Sequence, residues 1–307
     1  MNTLVNPTRD GTHALRAVAK VAEAICALPA VATQDWCDRA AAALLPIVGS
    51  GVCLTLLGQI DDRGHIMRQE ATGVAGATSV DVNTTVGRTT STTSVLTIDP
   101  NDANLVRVRT NLAQARDLSY GIGPIMPGSS RVGTPDRFGV NPADINAPLV
   151  RRWDSYRLPG LLIGVASLGP GGRCLIVELG STGAGISDHD VAALETALPL
   201  LARRAVMAIG ADPSEAAHWL TAREQIILQH LLLGKSVREI AEELGRSPHT
   251  VHDHVKSLHR KLNASSRGEL VARALGYAEM LQPRAVAETA GTLPVQTRLA
   301  RPASQTA

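Results

Sequence analysis

Residues 247–262 read SPHTVHDHVKSLHRKL and place His249, His252, His254 and His259, four of the chain's nine histidines, within sixteen residues. Imidazoles this close together could hold a metal ion, could switch charge near neutral pH, or could meet base edges as donors and acceptors. Their spacing separates these chemistries. At about 100° per residue, Val251, Val255, Leu258 and Leu262 share one arc of a helix, while His249, His252, Asp253, Lys256 and Arg260 share the opposite arc. His249, His252 and Asp253 are close enough to chelate. His254 and His259 point elsewhere and no cysteine lies nearby, so no metal site is expected. The polar arc suits a nucleic-acid groove better. A neutral imidazole can donate or accept at base edges, Lys256 can reach guanine O6/N7 or a phosphate, and Asp253 can accept from cytosine N4. Asp253 also repels phosphates, so it predicts selectivity obtained at a cost in affinity.

A helix that reads a groove must be held by others, and the flanking residues supply them. Thr221-x-x-Glu224, Ser236-x-x-Glu239 and Ser266-x-x-Glu269 are three capping-box patterns in succession, each followed by a helical apolar pattern. Gly234 suits the C-terminal stop of the first helix. The second carries Val237, Ile240, Ala241 and Leu244 on one face and stops at Gly245-Arg246. The next begins with Ser247 as its cap and Pro248 at its first position, where the missing N–H costs nothing. Two short helices joined by a tight glycine turn match a helix-turn-helix, and Ala222 to Leu233 provides the third helix that its core needs. GKS at 234–236 is not a P-loop: position 229 is Gln, and the lysine lies between helices.

These residues resemble the LuxR-type (GerE-like) DNA-binding domain over about 220–275. Leu220-Thr221, Arg223-Glu224, Gly234, Ser236, Glu239-Ile240-Ala241, Leu244, Ser247, Thr250-Val251, His254-Val255, Lys261-Leu262 and Arg267 fall at the family's positions. The resemblance implies a four-helix module whose third helix enters the major groove, with base-reading contacts at His252, Asp253 and Lys256. It implies further DNA contacts at Ser236, His249, Thr250, Arg260, Lys261 and Arg267. It also implies a fourth helix that contributes to dimerisation, with Leu270, Ala274 and Ala278 as the seam. His230 and Val237 depart from the family's pattern, and Val237 costs a backbone contact to DNA.

Bulk properties frame this unit. At 307 residues the chain predicts two domains. Its net charge is only +2, but residues 220–275 hold nine Lys or Arg against six Asp or Glu, so the positive charge is concentrated there. No apolar run approaches the roughly 18 to 20 residues that cross a bilayer, and no secretory signal is evident, so a cytoplasmic protein without a membrane partner is expected. Cys26, Cys37, Cys53 and Cys174 form no C-x-x-C pair and read as small buried apolar residues. No motif for catalysis or for a resident cofactor is present.

The N-terminal region reads as a helix over 12–28 with Leu15, Val18, Ala22 and Ile25 in register, then a second helix from Gln34 to Val48. VCLTLLGQI and IMRQEATGV form one hairpin, LPGLLIGVASL and RCLIVELG another, and Ser187 caps a long helix in which Pro199 predicts a bend or break. Residues 81–146 are Thr-, Gly- and Pro-rich and weakly periodic. A phosphorylated receiver needs a lysine late in its sheet, and none occurs between Lys20 and Lys235, which argues against one despite Asp61-Asp62. Trp153-Asp154 and Tyr156 suggest an acyl-homoserine-lactone domain, but the surrounding pattern does not match one. The order of elements resembles a GAF-like domain.

The expected architecture is therefore α+β. An N-terminal helix (1–32), read as dimerising, precedes a GAF-like sensor or dimerisation domain (33–210). A linker (211–219), an all-α helix-turn-helix domain (220–280) and a disordered tail (281–307) follow. The expected partners are double-stranded DNA, a second copy of the chain and a small-molecule effector. Two alternatives remain open: an N-terminal domain that only scaffolds a dimer, and an enzyme or binding protein whose C-terminal helices make protein contacts.

Overall fold

The computed structural model describes residues 7–86, 89–98, 102–114, 125–141, 143–144, 146, 147–183, 185–210 and 219–276. The expected tail, Ala278 and all but the last residue of the expected linker lie outside these. The N-terminal half forms α1 (Pro7–Cys26), α2 (Trp36–Leu44), β1 (Gly51–Ile60), β2 (Ile66–Val86), β3 (Thr89–Ile98), α3 (Ala103–Gln114), β4 (Ser130–Gly133), α4 (Pro148–Trp153), β5 (Gly160–Ser167), β6 (Arg173–Ser181) and α5 (Asp188–Ile209). The C-terminal half forms α6 (Ala222–Leu232), α7 (Val237–Glu243), α8 (Pro248–Lys261) and α9 (Arg267–Ala274). The chain is α+β, as expected. No described helix is long and apolar enough to cross a membrane.

The strands make one antiparallel sheet in the order β3-β2-β1-β6-β5-β4. Both expected hairpins are present, β1 with β2 and β5 with β6. Side chains alternate across a strand, and here both faces are covered, which is why β1 is mostly apolar and buried at every position but the half-buried Gln59. Cys53, Leu57, Leu175, Val177 and Leu179 face the side covered by α2 and α5; Leu54, Leu56, Val165 and Ile176 face Leu105 and Val108 of α3, and Leu149 and Trp153 of α4. α2 lies directly on β2: a Cβ at Gly73 would sit 2.1 Å from the Asp38 nitrogen. Thr55 donates to the Cys37 carbonyl at 2.6 Å.

Several expectations change. α1 buries Val21 and Ile25, with Leu28 just beyond its end, against α5, α2 and the turn that follows α2, and Val18 and Ala22 of the expected stripe are half-buried. That face is therefore already occupied within the chain. Cys26 is exposed, whereas Cys37, Cys53 and Cys174 are buried. α5 runs through Pro199 as one helix and starts in a full capping box between Ser187 and Asp190. Its far end is closed by the buried Arg173, which donates to the carbonyls of Ile209 and Gly210 at 3.2 Å and pairs with Glu70 at 3.0 Å. A guanidinium at a helix C-terminus satisfies orphan carbonyls and opposes the negative end of the dipole.

The C-terminal unit has its own core of Leu220, Ile227, Leu228, Leu231, Ile240, Ala241, Val251, Leu258 and Leu270. One member comes from elsewhere: Val31, in the loop between α1 and α2, is buried in it. The same loop makes a parallel bridge from Thr33 to Leu220, and the Ala32 carbonyl accepts from the Leu220 N–H at 2.7 Å. The two halves are thus joined by backbone pairing as well as by the connecting chain.

Candidate nucleic-acid interface

The local chemistry of 219–276 follows the capping reading closely. Thr221 with Glu224, and Ser236 with Glu239, are complete capping boxes. The third is displaced by one residue: Ser266 accepts from the Glu269 N–H, but the Glu269 carboxylate takes the N–H and hydroxyl of Ser265. Gly234 and Gly245 end α6 and α7 with φ of 86° and 60°. In this left-handed region a side chain would be strained. The tight turn after α7 leads into α8, whose N-cap Ser247 accepts from the Thr250 N–H at 3.1 Å.

α8 then divides as its sequence demands. Val251 and Leu258 are buried, whereas His249, Thr250, His252, Asp253, Lys256 and Arg260 are exposed. These six form an open face. His249 Nδ1 lies 3.3 Å from Asp253 Oδ2, one turn away, with the two side chains 82% and 58% exposed. The remaining histidines diverge, since His254 is half-buried and His259 Nδ1 meets the Ala264 carbonyl at 2.8 Å, closing the helix end. Among the described residues no group of three or more His, Cys, Asp or Glu is placed to hold a metal ion.

The other residues that the resemblance put on DNA are engaged inside the chain. Lys261 donates to the Trp219 carbonyl at 2.9 Å and pairs with Glu224 at 2.6 Å, with only 20% of its side chain exposed. Arg267 donates to the Lys235 carbonyl at 2.7 Å, tying α9 to the end of α6. Ser236 is held in its capping box, its hydroxyl 2.7 Å from Glu239 Oε2. Lys261 and Arg267 therefore also tie the unit together, and of the three Ser236 and Arg267 are exposed while Lys261 is half-buried. Arg246, in the turn into α8, is also exposed, and its place in the turn rather than helix periodicity sets it there.

The seam implied for α9 also changes. Leu270 and Ala274 are buried in the unit's own core. The outward side carries Gly268, half-buried Ala272, and Leu275 just past the helix end, which is 50% exposed. Both departures from the family pattern have a local account. His230 Nδ1 lies 3.2 Å from Glu243, which Lys235 also joins at 2.6 Å, and Val237 packs against the core.

The electrostatic centre of the unit is Glu224, which sequence reading recognised only as a cap. It receives Thr221 N–H at 2.8 Å, Ser257 hydroxyl at 2.7 Å and the Lys261 ammonium at 2.6 Å. Burial pushes its carboxyl up, but the Lys261, Thr221 and Ser257 bonds outweigh this and hold it at about 2.

Residues 218–274 match the family described as bacterial regulatory proteins, luxR family. Over 54 residues the chain is 48% identical to the transcriptional regulatory protein UhpA of Escherichia coli K12, covering 18% of this chain and 28% of that protein. Over 56 residues it is 43% identical to the probable transcriptional regulatory protein NarL of Mycobacterium tuberculosis H37Rv, covering 18% and 26%. The chain thus spans less than a third of the length of these curated relatives. A solved structure of SdiA in complex with octanoyl-rac-glycerol overlays at a TM-score of 0.30 and 16% identity, across 90% of this chain and 97% of that one. An overlay at that score does not bear on what the N-terminal half is.

Proposed function

Residues 218–274 being a luxR-family domain, we propose that the chain is a sequence-specific, homodimeric transcriptional regulator acting in the cytoplasm, with residues 33–210 as a GAF-like small-molecule sensor. One observation carries the DNA-binding part: α8 buries Val251 and Leu258 and turns His249, Thr250, His252, Asp253, Lys256 and Arg260 outwards. A single helix of this kind contacts too few bases for useful specificity, so two copies on two half-sites are expected. Gly268, Ala272 and Leu275 offer the outward side of α9 as the contact between them. The sensor reading is supported by the order of helix, hairpin, intervening segment, second hairpin and closing helix. The boundaries at 211–219 and 220–280 belong to the same proposal.

The full chain tests this directly. Sites selected from random DNA are expected to bind with an affinity that falls steeply with salt, as phosphate neutralisation requires. A chain that binds no DNA even at low salt sinks the reading in favour of C-terminal helices that contact protein. Within a positive result, Lys256→Ala is expected to cost about 1 to 3 kcal/mol on the selected site and little on scrambled DNA. An equal loss on both would assign Lys256 to a phosphate. Asp253→Asn is expected to relax base preference while raising affinity for scrambled DNA. Unchanged selectivity in that variant removes Asp253 from base reading.

A further inference from the structure

The chain holds only seven aromatic residues, yet Phe138, Trp153 and Tyr156 gather on one face of the sheet. Beside them lies a cavity of about 610 Å3 walled by Pro135, Leu149, Trp153, Pro159, Leu161 and Ile186. That volume lies in the range of roughly 300–1,000 Å3 typical of small-molecule sites.

The walls are fixed by interactions that packing alone does not require. Trp153 Nε1 donates to Glu178 Oε2 at 2.6 Å, and Arg152 pairs with the other carboxylate oxygen. Glu178 is fully buried on β6, on the face where its neighbours in register, Cys174 and Ile176, are apolar. An apolar residue there would serve stability as well or better. Here the carboxylate holds the indole in one orientation. Tyr156 meets the Trp153 ring edge-on, with centroids 5.9 Å apart, and its hydroxyl donates to Asp102 at 2.7 Å. Arg157 follows at φ 46°, a left-handed conformation that few residues other than glycine adopt. It turns Leu158 back onto the sheet, where a Cβ at Gly180 would lie 2.3 Å from Leu158 Cδ1. The cavity is therefore preformed.

Its charge is confined to the opening, where Asp136, Asp154 and Arg157 join the lining and are all exposed. Among the lining residues two carboxylates stand against one guanidinium. We propose that this cavity binds a small, mainly apolar organic molecule whose polar head is neutral or cationic and donates hydrogen bonds, and that it rejects anionic heads. The purpose of the site rests on the sensor reading; its chemistry does not.

The test uses two fluorescent probes with the same ring system, N-phenyl-1-naphthylamine and 8-anilino-1-naphthalenesulfonate, titrated into the full chain. The neutral amine is expected to saturate one site, at least about tenfold tighter than the sulfonate. Val150→Trp, which fills the cavity from α4, is expected to abolish amine binding. Because that substitution could disturb the short helix, the exposed Asp154→Lys serves as a second variant. It is expected to narrow the preference by about tenfold. Equal affinity for both probes overturns the proposal, as does an unchanged preference in Asp154→Lys or unchanged amine binding in a folded Val150→Trp. Binding that meets these expectations but leaves affinity for the selected DNA site unaltered keeps the cavity and removes its link to sensing.

Discussion

Arg152→Met is expected to destabilise the N-terminal half by about 3 to 5 kcal/mol, because it removes the guanidinium paired with the buried Glu178 carboxylate. Glu178 has no exposed surface, and the Arg152 side chain is 6% exposed. Neither can turn to solvent to relieve the loss. The double variant Arg152→Met/Glu178→Leu is expected to recover most of that stability, since apolar replacement of a buried pair is often neutral or better. Trp153 would then lose its acceptor and its fixed orientation. Urea unfolding followed by tryptophan fluorescence measures all three chains. A double variant no more stable than the single one would mean that Arg152 acts through packing and not through its charge.

The second large effect belongs to Glu224→Ala, expected to cost the DNA-binding unit about 3 kcal/mol, because three donors lose one buried acceptor. Glu224 is 4% exposed. Its carboxyl stands at about 2 in the folded chain against the ordinary 4.5. A carboxylate held low stabilises the fold fully above its ordinary value, and that contribution disappears as pH falls from 4.5 towards about 2. Glu269, likewise held at about 2 by Ser265 and Arg273, adds to the same window. Unfolding of the unit should therefore steepen below pH 4.5 in the natural chain and less so in Glu224→Gln. Parallel acid profiles would show that Glu224 is not a main source of the acid sensitivity.

Much of the C-terminal unit was legible because its signals are local. A hydroxyl and a carboxylate three residues apart act within one turn, and Gly234 and Gly245 mark stops that few other residues tolerate. Lys261 shows where that legibility ends. It lies only about 60° from Leu258 on the helix, so its stem runs along the core, and the acceptor that draws it inwards is 37 positions away at Glu224. Capping and periodicity do not report such distant partners. The same limit hid Arg173 and Arg152, whose carboxylates are Glu70 and Glu178. Between 81 and 146 the sequence reading missed β3, α3 and β4 and the length of β2. β2 runs from Ile66 to Val86 and continues into a Thr-rich partner, so no apolar alternation marks this ribbon. α3 commits Leu105 and Val108 to the core, too few to trace a stripe.

Val31 has a consequence for how such proteins are assembled over evolutionary time. It sits nearly two hundred positions before Leu220, yet both are buried in one core. A recombination event that carried only the residues from 219 onwards to a new input domain would bring a unit with an opening in its side. The recipient would have to supply an apolar side chain at that point, together with a carbonyl for the Leu220 N–H. In this chain the core of the four helices is completed by Val31, and their first backbone donor, the Leu220 N–H, by the Ala32 carbonyl.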